Sequence, residues 1–325
     1  LEHTVNKKTG KKTMTPCLDA EQLKLYAEDI EWVKDFIDYK KQHAVRQSLK
    51  DQILGNLDKD AVLHTSFNLS QARTGRFSSS GPNLQNINKK SCVREVFVPR
   101  KGYTFFYMDY SQIEYRIFAE LSGDKKLING YRSGKMDMHD STASNLSIER
   151  DPAKTVNFLI LYGGGVSGLS SLLNISSPEA SDMLEKFRET TPSLGKLKMR
   201  LLEEYDDKGY IEDPFGKHYH VLAGEENKIV NTLIQGTACN VLKYTMLGVQ
   251  KLLKDTDTHM VQQIHDENIF EVPTGERAII PLIKSIMEDV PMVNTPLVVD
   301  VEYSTTNWAE KKKYPKEELK KWTMF

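Results

Sequence analysis

The sequence predicts an α+β fold, on three observations. Apolar residues recur at three- and four-residue steps over long stretches. The run Tyr103 to Met108 has the aromatic and β-branched character of a strand, and HMVQQIHDENIFEV carries two short apolar runs around a polar tip. Taken in order, residues 18 to 54 read as helical through Leu23, Tyr26, Ile30, Val33, Phe36 and Ile37. Asn68 to Lys90 is dense in Ser, Asn, Gln and Gly, too polar for a core element, and long ordered loops usually have a function. After the strand at Tyr103 the pattern turns helical through Ile113, Ile117 and Leu121, with Asp109 at the junction. RDPAKTVNFLILYGGG reads as a short helix with Asp151 as N-cap, Pro152 at the first helical position and a stop at Gly163. Pro178 to Asn240 is mostly helical, broken around Gly209 to Gly224 by a small hairpin or loop. HMVQQIHDENIFEV is then a β-hairpin with His265, Asp266 and Glu267 near its turn.

Composition bounds the function classes. The 325 residues suggest two domains, or one elaborate one, at roughly 150 residues per domain. With 39% hydrophobic, 27% charged and 9% aromatic residues, the chain is globular rather than disordered or collagen-like. Apolar runs such as Phe158 to Leu161 fall far short of the roughly 18 to 20 residues a membrane span needs. The first residues are polar and lysine-rich, with neither a secretory signal nor an initiating Met, so a cytoplasmic protein that has lost upstream residues is expected. Cys17, Cys92 and Cys239 are odd in number and far apart, which argues against disulfides or a Cys-based zinc site and fits a reducing compartment. Net charge is only -1, yet Lys40 to Lys101 holds twelve basic residues against four acids. That stretch could meet a polyanion or be a solvated basic face.

Two constellations carry chemistry. Asp109 at a strand end and Asp266 with Glu267 at a hairpin tip would, on neighbouring strands, gather like charges that call for a cation; all-oxygen donors favour magnesium. A lone Asp at a strand end is as readily a cap. Arg150, Lys154, Phe158 and Tyr162 fall at successive four-residue steps, so two cations and two rings share one broad helix face. The face suits a nucleoside triphosphate, though the same spacing describes a core stripe with a solvated end.

These motifs resemble the polymerase region of family A DNA polymerases, the DNA polymerase I type. TGRFSSSGPNLQNI (74–87) resembles the family's primer-template loop, DYSQIE followed by LSGD its first palm motif, RDPAKTVNFLILYG its fingers helix, and QIHDENIFEV its second palm motif. NTLIQGTA and Asn307-Trp308 add to the match, which runs from about residue 11 to about residue 310. The resemblance implies a right-hand polymerase fold: a truncated helical thumb over 1–67, the primer-template loop and first part of the palm over 68–125, fingers over 126–225, and the rest of an antiparallel-sheet palm with the catalytic hairpin over 226–325. It implies template-directed DNA synthesis with two Mg2+ ions, from deoxynucleoside triphosphates on a primer-template. Asp109, Asp266 and the Tyr110 carbonyl would hold metal, with Glu267 in support. Arg150, Lys154 and His139 would hold the triphosphate, Lys154 also protonating the leaving pyrophosphate. Gln112, Phe158, Tyr162 and Glu114 would meet the nucleotide, Glu114 as the sugar gate. Arg76, Asn83, Gln85, Asn231, Gln235 and His265 would touch DNA.

Departures from the family pattern are Leu159 for a usual Gly, Asn88 for a Pro, Asn268 for an apolar residue, and Asn227 with Lys228 where an Arg is usual. Pro152 is expected to start the fingers helix late and leave Arg150 outside it, and Gly163, Gly164 and Gly165 to serve as a hinge. The short thumb and missing exonuclease region suggest an enzyme without proofreading. Such compactness fits a bacteriophage protein acting in host cytoplasm, or one piece of a split polymerase that needs a separate upstream polypeptide. A single-subunit RNA polymerase shares the two acids but is disfavoured by Glu114 and the TGR and QNI motifs.

Overall fold

The computed structural model describes residues 2–5, 12–15, 23, 26–69, 71–89 and 91–320. The chain forms two compact units, one of Leu1–Ser66 with Ser80–Val96 and the other of Phe67–Ser79 with Phe97–Phe325. The tract expected to be one primer-template loop is thus divided between them.

In the first unit, β1 (Glu2–Val5) and β2 (Lys12–Thr15) pair antiparallel, and α1 spans Glu31–Gln47. Its tail widens into a π turn over Ser48–Ile53 and then tightens into a 3-10 turn over Leu54–Asn56. The helical stretch expected over 18–54 is divided at Ile30, which is extended with φ -130°. Apolar spacing cannot tell one helix from two segments in phase. Residues 18 to 22 lie outside the described residues. Along α1 only Val33 is buried, and Trp32 and Tyr39 stay exposed. The polar tract is not all loop either, because β3 (Ser66–Asn68) and β4 (Ser78–Ser80), whose residues 67–68 and 78–79 belong to the second unit, form a two-stranded ribbon.

The second unit is built on a five-stranded antiparallel sheet. Its central strand β5 (Tyr103–Tyr110) lies between β10 (Val299–Ser304) and β9 (Glu267–Pro273); β8 (His259–Ile264) and β11 (Lys312–Lys313) form the edges. Residues 104–108 are buried without alternation, because helices and neighbouring chain cover both faces. Phe106, Met108 and Phe270 anchor a core that continues into α2 (Ile113–Ser122) and α9 (Ile229–Leu252).

Between β5 and α9 the chain is helical: α3 (Lys125–Arg132), α4 (Met138–Leu146), α5 (Arg150–Leu161), α6 (Val166–Leu173), α7 (Ser177–Thr190) and α8 (Pro192–Lys208). Asp124 and Asp137 cap α3 and α4 with their carboxylates, and Ser176 with Glu179 forms a capping box on α7. The break after Gly209 is the small hairpin of β6 (Ile211–Glu212) and β7 (His218–Tyr219). One sequence expectation fails at α5. Its N-cap is Glu149, not Asp151, and Arg150 is the first helical residue. The first four N–H groups of a helix have no intrahelical acceptor, so Pro152 sits in the first turn without losing a bond. Among the described residues, no helix is long and apolar enough to cross a membrane.

α9 crosses the β6–β7 hairpin at Gly236, where an added Cβ would lie 2.3 Å from the Tyr219 ring. That ring cannot retreat easily, since its hydroxyl donates to Asp213 at 2.8 Å and accepts from Asn240 at 3.0 Å. Gly236→Ala is expected to lower stability by about 1–3 kcal/mol through overpacking, read as a reduced urea midpoint at unchanged slope.

Candidate active site

The β5–β9 ladder sets the two principal acids. Asp109, the penultimate residue of β5, is paired in register with Glu267 on one side and Asp300 on the other. The β8–β9 hairpin turns through His265 and Asp266 alone, with His265 at φ 53°. The Tyr110 amide donates to the Asp266 carbonyl at 3.2 Å, which ties that turn to the end of β5. Burial pushes the Asp266 carboxyl up, against the pull of Arg76 and His265. A carboxylate in that setting gains from a further cation, and the donors beside it are oxygens, so the residues fit magnesium. Among the described residues no cluster of three or more His, Cys, Asp or Glu side chains is placed to hold a metal. A two-carboxylate site leaves most of the shell to water and phosphate, the mode of binding magnesium commonly adopts.

Beside the acids stands a buried carboxylate. Arg76 reaches Glu114 at 2.7 Å, and the Tyr162 hydroxyl donates to both Glu114 oxygens at 3.2 and 3.0 Å. Burial raises the Glu114 pKa, with Asp266 adding to the rise while Arg76 and Tyr162 oppose it. Burial and the adjoining Glu114 push the Tyr162 phenol up to about 12, and Gln235 hydrogen-bonds the same hydroxyl. Arg76, Glu114, Tyr162 and Gln235, far apart in sequence, thus form one network.

The helix α5 presents the expected face. Phe158 packs by Tyr162 and His139 at 5.7 Å each, and by Tyr115 at 6.1 Å between ring centroids. Lys154 is exposed and makes no ion pair among the described residues. Arg150, by contrast, bonds Asp137 and Asp140 at 2.8 Å each. The buried His139 is kept below its usual pKa, chiefly by burial and further by Arg150 and Lys154. Asn157 accepts from Thr142 and turns its amide N–H toward His139 Nδ1 at 3.0 Å, which leaves the ring proton on Nε2.

Other expected residues fall less simply. Gln112 sits at φ 52° ahead of α2, and its amide oxygen accepts from Met138 N and the Tyr131 hydroxyl, joining α2 to the start of α4. Asn231 has a buried oxygen without a partner among the described residues, and His265 is exposed. Asn83 and Gln85 belong to the first unit, where the Asn83 side chain accepts from the Gln85 amide at 3.0 Å. Of the expected hinge, only Gly165 has open space around it. Gly163, at φ 81°, lies against the Asn227 backbone, and Leu159 fills the space beside Gly164 and Gly168. Sequence reading missed Asn157, Asp137 and Tyr115. Asp137 had a signal, a helix N-cap two residues before His139, whereas a buried Asn inside a helix has none.

A palm sheet carrying paired acids, with a cationic and aromatic helix beside it, defines the right-hand polymerase class. Residues 1–310 match the model of DNA polymerase family A, and the chain belongs to that family. It is 37% identical to the thermostable DNA polymerase I of Thermus filiformis over 77% of this chain and 33% of that protein. It is 33% identical to DNA polymerase I of Streptococcus pneumoniae over 96% of this chain and 38% of that one. The chain thus spans little more than a third of these relatives' length. A solved structure, the POL domain of Pol1 from M. smegmatis in complex with DNA primer-template and dNTP, superposes with a TM-score of 0.82 at 29% identity, covering 95% of this chain and 59% of that one.

Removing the cation from the Glu114 network generates a pH-dependent prediction. In Arg76→Met, burial acts on Glu114 unopposed by its main cation, so its folded pKa rises further above an unfolded value of about 4.3. Such a group contributes favourably at low pH and loses that contribution as pH climbs through the folded pKa. Urea melts should show a deficit of about 1–3 kcal/mol at pH 8 that narrows toward pH 5. A deficit of equal size at both pH values would contradict this account.

Proposed function

We propose that this chain adds deoxynucleotides to a primer 3′-hydroxyl under direction of a template, with release of pyrophosphate. The observation that carries the reading is the convergence of Asp109 and Asp266 at one end of the sheet, next to the Glu114–Tyr162 contact that joins α5 to the acids' side of the molecule. Family membership and the relatives' names support it.

In this reading Asp109 and Asp266, with the Tyr110 carbonyl, would hold two magnesium ions, whose chemistry when bound would be to lower the hydroxyl's pKa and neutralise charge on the transferring phosphoryl group. Lys154, without an ion pair among the described residues and one turn from Arg150, meets the triphosphate and donates a proton to the departing pyrophosphate. Arg150 exchanges Asp137 and Asp140 for phosphate oxygens. His139, neutral with its proton on Nε2, donates a hydrogen bond without adding charge. Phe158 lies by the sugar and Tyr162 by the templating position. Glu114, held by Arg76 and Tyr162, has little freedom to move, so a 2′-hydroxyl would clash with it and lose hydration. Arg76 and Gln235 offer donors to the minor groove, where acceptors look alike for every correct pair, and so sense pairing without reading sequence. Asn83, Gln85, Asn231 and His265 complete the DNA contacts.

Primer extension with magnesium and four deoxynucleotides tests this directly. Wild type should extend, and Asp266→Ala should lose about 10³-fold or more in rate. If wild type binds primer-template yet does not extend it, the self-sufficient enzyme is ruled out and a polypeptide supplied from elsewhere is required. Glu114→Ala should raise ribonucleotide incorporation relative to deoxynucleotide by about 10²-fold or more, measured as a ratio of kcat/KM values.

A further inference from the structure

We propose that Lys311 is a positioning residue for the catalytic acids: it holds Glu267 apart from the Asp109–Asp266 pair and so sets how tightly that pair takes a divalent cation. The inference rests on the two-acid reading above. Lys311 lies one residue beyond the stretch that matches the family model.

The backbone around Lys311 is firmly anchored. β11 adds to the edge of the sheet, with Lys312 opposite Tyr303 and Lys313 opposite Glu302. The Tyr314 amide donates to the Val301 carbonyl at 2.9 Å, and its ring packs edge-on against Phe106 at 5.3 Å and Tyr303 at 5.8 Å. From there the Lys311 ammonium reaches Glu267 at 2.5 Å and lies 4.1 Å from the Tyr107 ring centroid. Both charged side chains are mostly buried, at 19% and 13% exposure, so solvent screens the pair far less than an ordinary surface ion pair.

The register explains why this pair matters. Tyr107 precedes Asp109 by two residues and so shares its face of β5, and Glu267 stands directly opposite Asp109. Glu267 also follows Asp266 in the chain. Without Lys311, the Glu267 charge would stand uncompensated beside the two metal-holding carboxylates, in addition to the exposed Asp300 opposite Asp109 on β10. Such a site binds divalent cations more tightly, with Glu267 as a competing ligand. With Lys311 in place, Glu267 is kept out of the ligand set.

The test is Mn(II) binding to the full chain, followed by electron paramagnetic resonance without substrate, so that it does not depend on turnover. Lys311→Met keeps the aliphatic packing on Tyr107 and should tighten Mn(II) binding about 5- to 10-fold. Lys311→Arg should bind as wild type does, and in a Glu267→Gln background Lys311→Met should have no effect. The metal concentration giving half-maximal primer extension should fall in Lys311→Met and be restored in Lys311→Arg. Unchanged Mn(II) affinity in Lys311→Met, or equal tightening in the Glu267→Gln background, would overturn the inference while leaving the polymerase reading intact. Wild-type binding that is insensitive to Asp266→Ala would overturn both.

Discussion

Carboxylates gather at one end of the palm sheet, and supplying positive charge to the buried ones is the constraint that organises this molecule. Asp109, Glu114, Asp266 and Glu267 arrive there from β5, α2 and the β8–β9 hairpin. Like charges in low dielectric raise one another's pKa and oppose folding unless cations answer them. Arg76 answers Glu114 and Lys311 answers Glu267. Asp266, raised by burial and only partly compensated, has an unmet demand for positive charge of the sort a metal site needs.

The same demand couples the sheet to the helices beyond it. Tyr162 at the end of α5 donates to the carboxylate that Arg76 also holds, so displacing α5 would leave Glu114 with one partner fewer. At the other end of α5, Arg150 is held by Asp137, whose carboxylate also caps α4. The triphosphate would have to displace carboxylates that already hold this cation.

Close packing constrains the turn after α5. Gly163 approaches the Asn227 backbone too closely for any side chain, and Leu159 occupies the space that Gly164 and Gly168 leave open. The departure Leu159 is therefore accommodated by glycines five and nine positions further along the chain. Asn268, another departure, is fully buried on β9 with both amide atoms unpartnered among the described residues. The structure offers no explanation for it.

Local signals alone determined much here. The strand ending near Asp109, the helix after it, the hairpin turning at His265 and Asp266, and the stripe from Arg150 to Tyr162 were all legible, because strand and helix periodicities and turn residues act within a few positions. Ordered motifs also identified the family. Tertiary structure decided what no spacing encodes: Arg76 and Tyr162 sharing Glu114, Arg150 paired back onto Asp137 and Asp140, Asn157 setting the His139 proton, and Lys311 returning to Glu267. It also decided that Ser66–Asn68 pairs with Ser78–Ser80 inside a tract that reads as loop, and that α5 begins at Arg150. The physical reason is common to all of them. Periodicity reports which face of an element is apolar, but the partner of a buried charge is fixed only when distant segments pack and the cost of leaving that charge alone selects one arrangement.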